Sequence, residues 1–211
     1  MTGTSAELRS LLHARIMAHD RPGAVAAALA AVTGEEISIP ELYDLLAAYL
    51  LDVGASWKSG ETEVWQEHYA TAVVRTIVEA CHPLLAERAS APNGRTVILA
   101  TPPEEYHDLG LRMLADRFTL AGWTAHLLGG NVPAEELIAA VRELGADAAV
   151  ISVYTHFHRI ALKQYMEELR AAHPQLRVWV GGAAFAREHD GWPDEMILEP
   201  AQIPSLAGQA G

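Results

Sequence analysis

The sequence predicts two architectures in series: an all-α part over residues 1–90, folded as a four-helix bundle, and an α/β part over 91–211, built on a doubly wound parallel sheet. Three observations carry this expectation. Through Ala89 the apolar residues recur at helical spacing, with no strand-like run among them. Ser90 to Gly94 reads Ser-Ala-Pro-Asn-Gly, the one clear linker in the chain. Beyond it short apolar runs alternate with helical segments, the rhythm of parallel strands joined by right-handed crossovers.

The helical part divides at its breakers. The spacing predicts a first helix over 6–18, ended by Arg21-Pro22-Gly23, and an alanine-rich second over 24–32, ended near Gly34. Ser38 is placed to cap a third helix, with Pro40 early in its first turn and Leu42, Leu45, Leu46, Leu50 and Val53 along one face. Ser59-Gly60 interrupts it. A fourth helix is expected over 61–89, with Pro83 kinking it or ending its regular part. Four helices on short connections pack most economically as a bundle.

In the second part, 96–100, 125–128, 148–153 and 177–180 read as buried strands, and 196–198 as a short fifth. Helices are expected over 104–121, from Pro133 onward with Glu135 and Glu136 in the first turn, and over 160–172. In such sheets ligands sit beyond the carboxyl ends of the strands. That rule selects four loops: 101–107, 129–133, 152–158 and 181–186.

Composition narrows the function. The chain has 211 residues, half of them hydrophobic, and a formal net charge of −12 with no cluster of Lys and Arg. Direct nucleic-acid binding, which needs such a cluster, is not expected. No apolar run approaches the roughly 20 residues of a membrane span, and the N-terminus lacks a secretory pattern. A cytoplasmic protein without membrane contact is the expectation. The single cysteine, Cys81, excludes an internal disulfide and is expected to be buried.

Chemistry concentrates in the ligand-edge loops. The first reads Thr101-Pro-Pro-Glu-Glu105-Tyr-His107-Asp-Leu-Gly110, with Asp108 at the helix start. Glu105 is placed to accept a hydrogen bond from one imidazole nitrogen of His107, fixing the tautomer and raising the basicity of the other. Gly110 leaves room for a bulky ligand at that helix start. Gly129-Gly130 follows the second strand, Ser152 ends the third and Gly181-Gly182 closes the fourth. Together these small residues are expected to clear a slot beside His107. No GxGxxG follows the first strand, so the dinucleotide fingerprint is absent.

Glu105-x-His107-x-x-Gly110, Ser152 and Gly181-Gly182 resemble the DxHxxG, SxL and GG motifs of cobalamin-binding domains. The resemblance implies a Rossmann-like (flavodoxin-like) domain in which His107 ligates cobalt from below, in place of the cofactor's own dimethylbenzimidazole. The displaced nucleotide tail would then fill the slot. Two positions depart from the pattern: Glu105 stands for the usual Asp, and Tyr154 for the usual Leu.

In the helical part, Trp57 is followed ten residues later by Glu67-His68. This resembles the W-x9-EH motif of cobalamin-binding photoreceptors of the CarH type, whose helical bundle caps the upper face of adenosylcobalamin. The resemblance implies Trp57, with Val64, Glu67 and His68, near the upper ligand; an indole offers a flat apolar surface for stacking there. The bland alternative puts Trp57 and Trp65 in the bundle core. Lys58 occupies the position where the CarH type has a histidine that ligates cobalt after photolysis, so that capture is not available here.

The chain also resembles photocobilins, relatives that hold cobalamin and a linear tetrapyrrole such as biliverdin. His156 and His158, after the third strand, suit hydrogen bonds to bilin or to cobalamin amides, or are plain loop histidines; Glu188-His189-Asp190 is expected to be an exposed acidic loop. The resulting expectation is a signalling module and not an enzyme. It would take adenosylcobalamin or methylcobalamin, sense light through the cobalt–carbon bond, and pass the signal to a partner protein or to its own oligomeric state. A corrinoid carrier of a methyltransferase system is the alternative.

Overall fold

The structure, a computed structural model, describes residues 3–185 and 191–207. It falls into two compact units, 1–84 and 85–211.

The first unit holds α1 (Gly3–Met17), α2 (Arg21–Thr33), α3 (Ile39–Ser59) and α4 (Val64–Cys81). Leu12 and Ile16 of α1, Ala24 and Ala28 of α2, Leu42 and Leu46 of α3, and Val73, Val74, Ile77 and Val78 of α4 are buried. These positions recur every three or four residues, the stripe that lets each helix bury one face. Arg21-Pro22 begins α2 and does not merely separate it from α1: Asp20 caps the helix by accepting from Gly23 N at 2.9 Å, and proline is at home in a first turn. At α3 the cap is reciprocal. Ser38 Oγ accepts from Glu41 N, and Glu41 Oε2 accepts from Ser38 N at 2.8 Å. Gly60 ends α3 in the left-handed conformation, φ +78°, which a glycine adopts without steric cost. The regular part of α4 stops at Cys81, which is buried; His82–Leu84 tightens into a 3-10 turn around Pro83, and α5 (Leu85–Arg88) opens the second unit.

The second unit continues with β1 (Thr96–Ala100), α6 (Leu109–Leu120), β2 (Thr124–Gly129), α7 (Ala134–Leu144), β3 (Ala148–Ser152), α8 (His156–Ala172), β4 (Arg177–Gly181) and α9 (Ile203–Leu206). The strands form a parallel sheet in the order β2-β1-β3-β4, a doubly wound Rossmann-like arrangement. Alternate residues face opposite layers. Ile98, Ala149, Ile151 and Val180 pack with Leu137, Leu162 and Leu169 of α7 and α8. Val97, Leu99, Val150 and Trp179 pack with Leu111 and Phe118 of α6 and with Ile203 and Leu206. Tyr165 of α8 reaches through the first layer, and its buried hydroxyl donates to Val132 O at 3.1 Å.

Two expectations are corrected. The run 196–198 is not a fifth strand: Asp194–Met196 is a 3-10 turn, and Ile197 makes a single parallel bridge with Val180. Pro193 and Pro200 bracket the segment too closely for a ladder to extend. The helix expected from residue 104 begins at Leu109, because Pro102, Pro103 and Glu104 (φ +65°) hold the chain out of the helical region. Among the described residues no helix is long and apolar enough to cross a membrane.

Candidate cofactor-binding site

The loops at the carboxyl ends of β1 and β2 are tied together before any ligand is considered. Thr101, fully buried, donates its hydroxyl to Glu105 O and accepts from Asn131 N at 3.0 Å. Asn131 N also lies 2.8 Å from Glu105 O, and Asn131 Oδ1 accepts from Glu104 N at 2.9 Å. Glu104 and Asn131 both adopt positive φ, +65° and +58°, a conformation that costs a non-glycine residue energy and is sustained by such bonds.

This clasp presents Glu105, which is fully buried. One carboxylate oxygen accepts from His107 N at 3.0 Å and sits 2.5 Å from His107 Nδ1; the other accepts from Tyr154 N at 2.8 Å, across the sheet edge after β3. Both oxygens are thus engaged as acceptors, so Nδ1 carries the proton and the lone pair resides on Nε2. The His107 side chain is 57% exposed, and its ring stacks on that of Tyr154 with centroids 4.2 Å apart and planes 18° from parallel.

The small residues divide by role. A Cβ on Gly182 (φ +95°) would lie 2.3 Å from Val153 O and 2.7 Å from Ser152 Oγ, and one on Gly130 would lie 3.2 Å from Glu105 O. These glycines therefore allow backbone to approach backbone, and do not by themselves open a slot. At Gly110 a Cβ would meet nothing within 4 Å, so the start of α6 is open beside His107. Gly129 (φ +88°) closes β2 opposite Ala100, with Asp108 Oδ2 3.8 Å from where its Cβ would be. Asp108 stands at the start of α6 without capping it through its side chain. Ser152 is buried and in register with Gly181.

In the helical unit Trp57 lies in the last turn of α3 and is 45% exposed, and Val64 and Trp65 at the start of α4 are exposed as well. Neither tryptophan belongs to the bundle core. Glu67 lies 2.5 Å from His68 Nδ1 and accepts from the Thr71 hydroxyl at 2.9 Å, which holds the carboxylate while His68 stays exposed. His156 and His158 fall in the first turn of α8 and not in a loop; their side chains, and Glu188, His189 and Asp190, lie outside the described residues.

Thr101 and Asn131 are the residues that motif reading passes over. The signal for them is faint: a hydroxyl directly after a strand, and an asparagine, tolerant of positive φ, after two glycines.

The donor set decides what metal chemistry fits. Among the described residues no three His, Cys, Asp or Glu side chains come together to hold a metal ion. A single exposed imidazole with a fixed tautomer can offer one axial bond to a metal that brings its remaining donors with it. A cobalt already held by a corrin ring meets that condition, and the start of α6 is open at Gly110, three residues after His107.

Comparison with known proteins agrees with this chemistry. Residues 95–194 match the family described as B12 binding domain, and residues 8–82 match a second family of the same description. Fold and matches together define a cobalamin-binding protein with a helical part and a Rossmann-like part. Over 163 residues the chain is 37% identical to the HTH-type transcriptional repressor CarH of Myxococcus xanthus, covering 75% of this chain but 52% of that protein, so the chain spans about half of that relative's length. It is 26% identical to a corrinoid protein of Desulfitobacterium hafniense, over 68% of this chain and 67% of that one. The fold superposes on the monomethylamine corrinoid protein of Methanosarcina barkeri with a TM-score of 0.76, at 17% identity and 95% coverage of both chains.

Proposed function

We propose that this protein is a cobalamin-dependent light sensor and signalling module rather than an enzyme. It takes adenosylcobalamin or methylcobalamin in the base-off form, with His107 as the lower ligand of cobalt. The observation that carries the reading is the Glu105–His107 pair. A fully buried carboxylate, locked by two backbone N–H groups, orients an exposed imidazole whose other nitrogen has no hydrogen-bond partner among the described residues. The likeness to CarH supports a regulatory role over a carrier role.

Bound adenosylcobalamin supplies a cobalt–carbon bond that visible light breaks. The chain's contribution is to hold the cofactor through His107, Gly110, Ser152 and Gly181-Gly182, and to present Trp57, Val64, Glu67 and His68 to the upper ligand. Loss of that ligand changes bundle packing or self-association only if the two states bind it with different affinity. Exposed Trp57, Val64 and Trp65 at the α3–α4 end supply apolar surface for that difference. The signal passes to a partner protein or to the oligomeric state of the chain itself.

A corrinoid carrier of a methyltransferase system is the second reading, favoured by the corrinoid relative. Absorption spectra and molar mass, recorded in darkness and after illumination on protein loaded with adenosylcobalamin, separate the two. A light-dependent change in both supports the sensor. A dark-stable cofactor whose methylcobalamin form passes its methyl group to a partner enzyme supports the carrier. A parallel sample with biliverdin tests the photocobilin branch through the appearance of a red-absorbing band. Binding and spectra unchanged in His107→Ala overturn the ligation.

A further inference from the structure

We propose that Tyr154 is a positioning residue for His107, its ring serving as a platform that sets the plane of the ligating imidazole. The inference rests on the ligation reading above and assigns a function to the position where this chain departs from the usual leucine.

A carboxylate at Nδ1 fixes the tautomer of an imidazole but not the plane of its ring. The torsion between the β-carbon and the ring is broad for histidine, so a ring tethered at one nitrogen can still swing about that tether. An axial ligand needs a second constraint, because its lone pair must point along one direction to meet the metal. Two observations show where that constraint comes from. The phenol ring of Tyr154 lies nearly parallel to the imidazole, 18° off, at a centroid distance of 4.2 Å. The backbone N–H of the same residue donates to Glu105 Oε2, the other oxygen of the carboxylate that meets Nδ1. Tether and platform are therefore locked to one another: the bond that holds Glu105 in place also holds the base of the tyrosine.

Tyr154 is 41% exposed, so its ring is not there to fill a core. A leucine would keep the backbone bond to Glu105 and lose the flat face. That separates the ring's contribution from the backbone's, and it makes Tyr154→Leu the informative variant. Tyr154→Phe keeps the stack and serves as the conservative control.

The test has a cofactor-free and a cofactor-bound arm, run on the whole chain as wild type, Tyr154→Phe, Tyr154→Leu and Tyr154→Ala, with folding followed by circular dichroism. In the cofactor-free protein with isotope-labelled histidine, the ring protons of His107 are expected to be shifted upfield by the tyrosine ring current in wild type and the Phe variant. They are expected to move toward ordinary values in the Leu and Ala variants, while the ring nitrogens report the same tautomer throughout. With aquocobalamin as the probe, the Leu and Ala variants are expected to bind about 2-fold to about 10-fold more weakly, the range that one aromatic stack accounts for. Their Co(II) forms are expected to show weaker or broadened splitting from the axial nitrogen in electron paramagnetic resonance. Leu and Ala variants that match wild type in ring shift, affinity and splitting overturn the proposal, as does a Phe variant that behaves like Ala. A His107→Ala protein that binds as wild type does overturns the ligation reading instead, and the cofactor-free ring shift still decides the stack.

Discussion

Glu105 Oε1 lies 2.5 Å from His107 Nδ1, and the carboxylate that carries it is fully buried while the imidazole reaches solvent. The pair is arranged so that the buried partner has no freedom and the exposed partner has only one nitrogen to give. Glu105→Gln keeps the size and one acceptor oxygen, but the amide must turn an N–H₂ group toward either Tyr154 N or His107. One buried donor then faces another. Cobalamin affinity is expected to fall about 10-fold to about 100-fold, with about 1–3 kcal/mol of stability lost. Spectrophotometric titration with cobalamin and urea unfolding measure the two effects.

Gly182 offers a test of the sheet edge that does not touch the imidazole. Its φ of +95° is costly for any L side chain, and a Cβ there would press on Val153 O. Gly182→Ala is expected to destabilise the second unit by about 1–3 kcal/mol. A urea transition shared with wild type would contradict this.

Acid sensitivity of the helical unit follows from its caps. The Glu41 carboxyl is held below its ordinary range by the Ser38 backbone N–H and then by the Ser38 hydroxyl. The Asp20 carboxyl is held low by Gly23 N–H and then by Arg15. A carboxyl lowered in the folded state takes up its proton first in the unfolded chain. Its contribution is therefore complete above the ordinary carboxylate range and is lost as pH falls through the folded value. Ser38→Ala is expected to cost about 1 kcal/mol at neutral pH. Glu41→Gln should lower the melting temperature at pH 7 more than at pH 3, in thermal melts followed by circular dichroism.

Trp57 separates stability from signalling. Its side chain is outside the bundle core, so Trp57→Ala is expected to change stability by no more than about 0.5 kcal/mol. The light-dependent change in molar mass with adenosylcobalamin is expected to disappear in the same variant. A photoresponse equal to wild type in this variant would remove Trp57 from the proposed upper-ligand contacts.

How much of this was legible in the sequence depends on how local the cause is. The cap at Ser38, the stop at Gly60 and the break at Pro83 each rest on a few neighbouring residues, and all are visible in the chain itself. The parallel sheet follows from the alternation of apolar runs and helices, whereas its order β2-β1-β3-β4 is seen only in the fold. The Glu105–His107 contact spans two residues, so motif and geometry coincide. By contrast, the clasp of Thr101 and Asn131 closes over 30 residues, and the Tyr154 bond to Glu105 over 49. Such contacts exist only once the sheet has formed. The glycines are only half legible for the same reason: Gly-Gly after a strand announces a turn, but only the packed loops show how closely Gly182 approaches Val153. The start of α8 at His156, four residues earlier than apolar spacing suggests, escapes a reading tuned to apolar periodicity because His156, His158 and Arg159 interrupt the pattern in the sequence.

The strand order β2-β1-β3-β4 means that the chain winds one way from β1 and the other way from β3. Glu105 follows β1 and Tyr154 follows β3, so the hydrogen bond between them is a stitch across the seam where the winding reverses. Two adjacent strands that twist relative to one another would pull on the two ends of that stitch. The imidazole, attached to one end by its nitrogen and resting on the other by its face, would turn with them. A displacement of the imidazole would be carried through the same stitch to both strands at once.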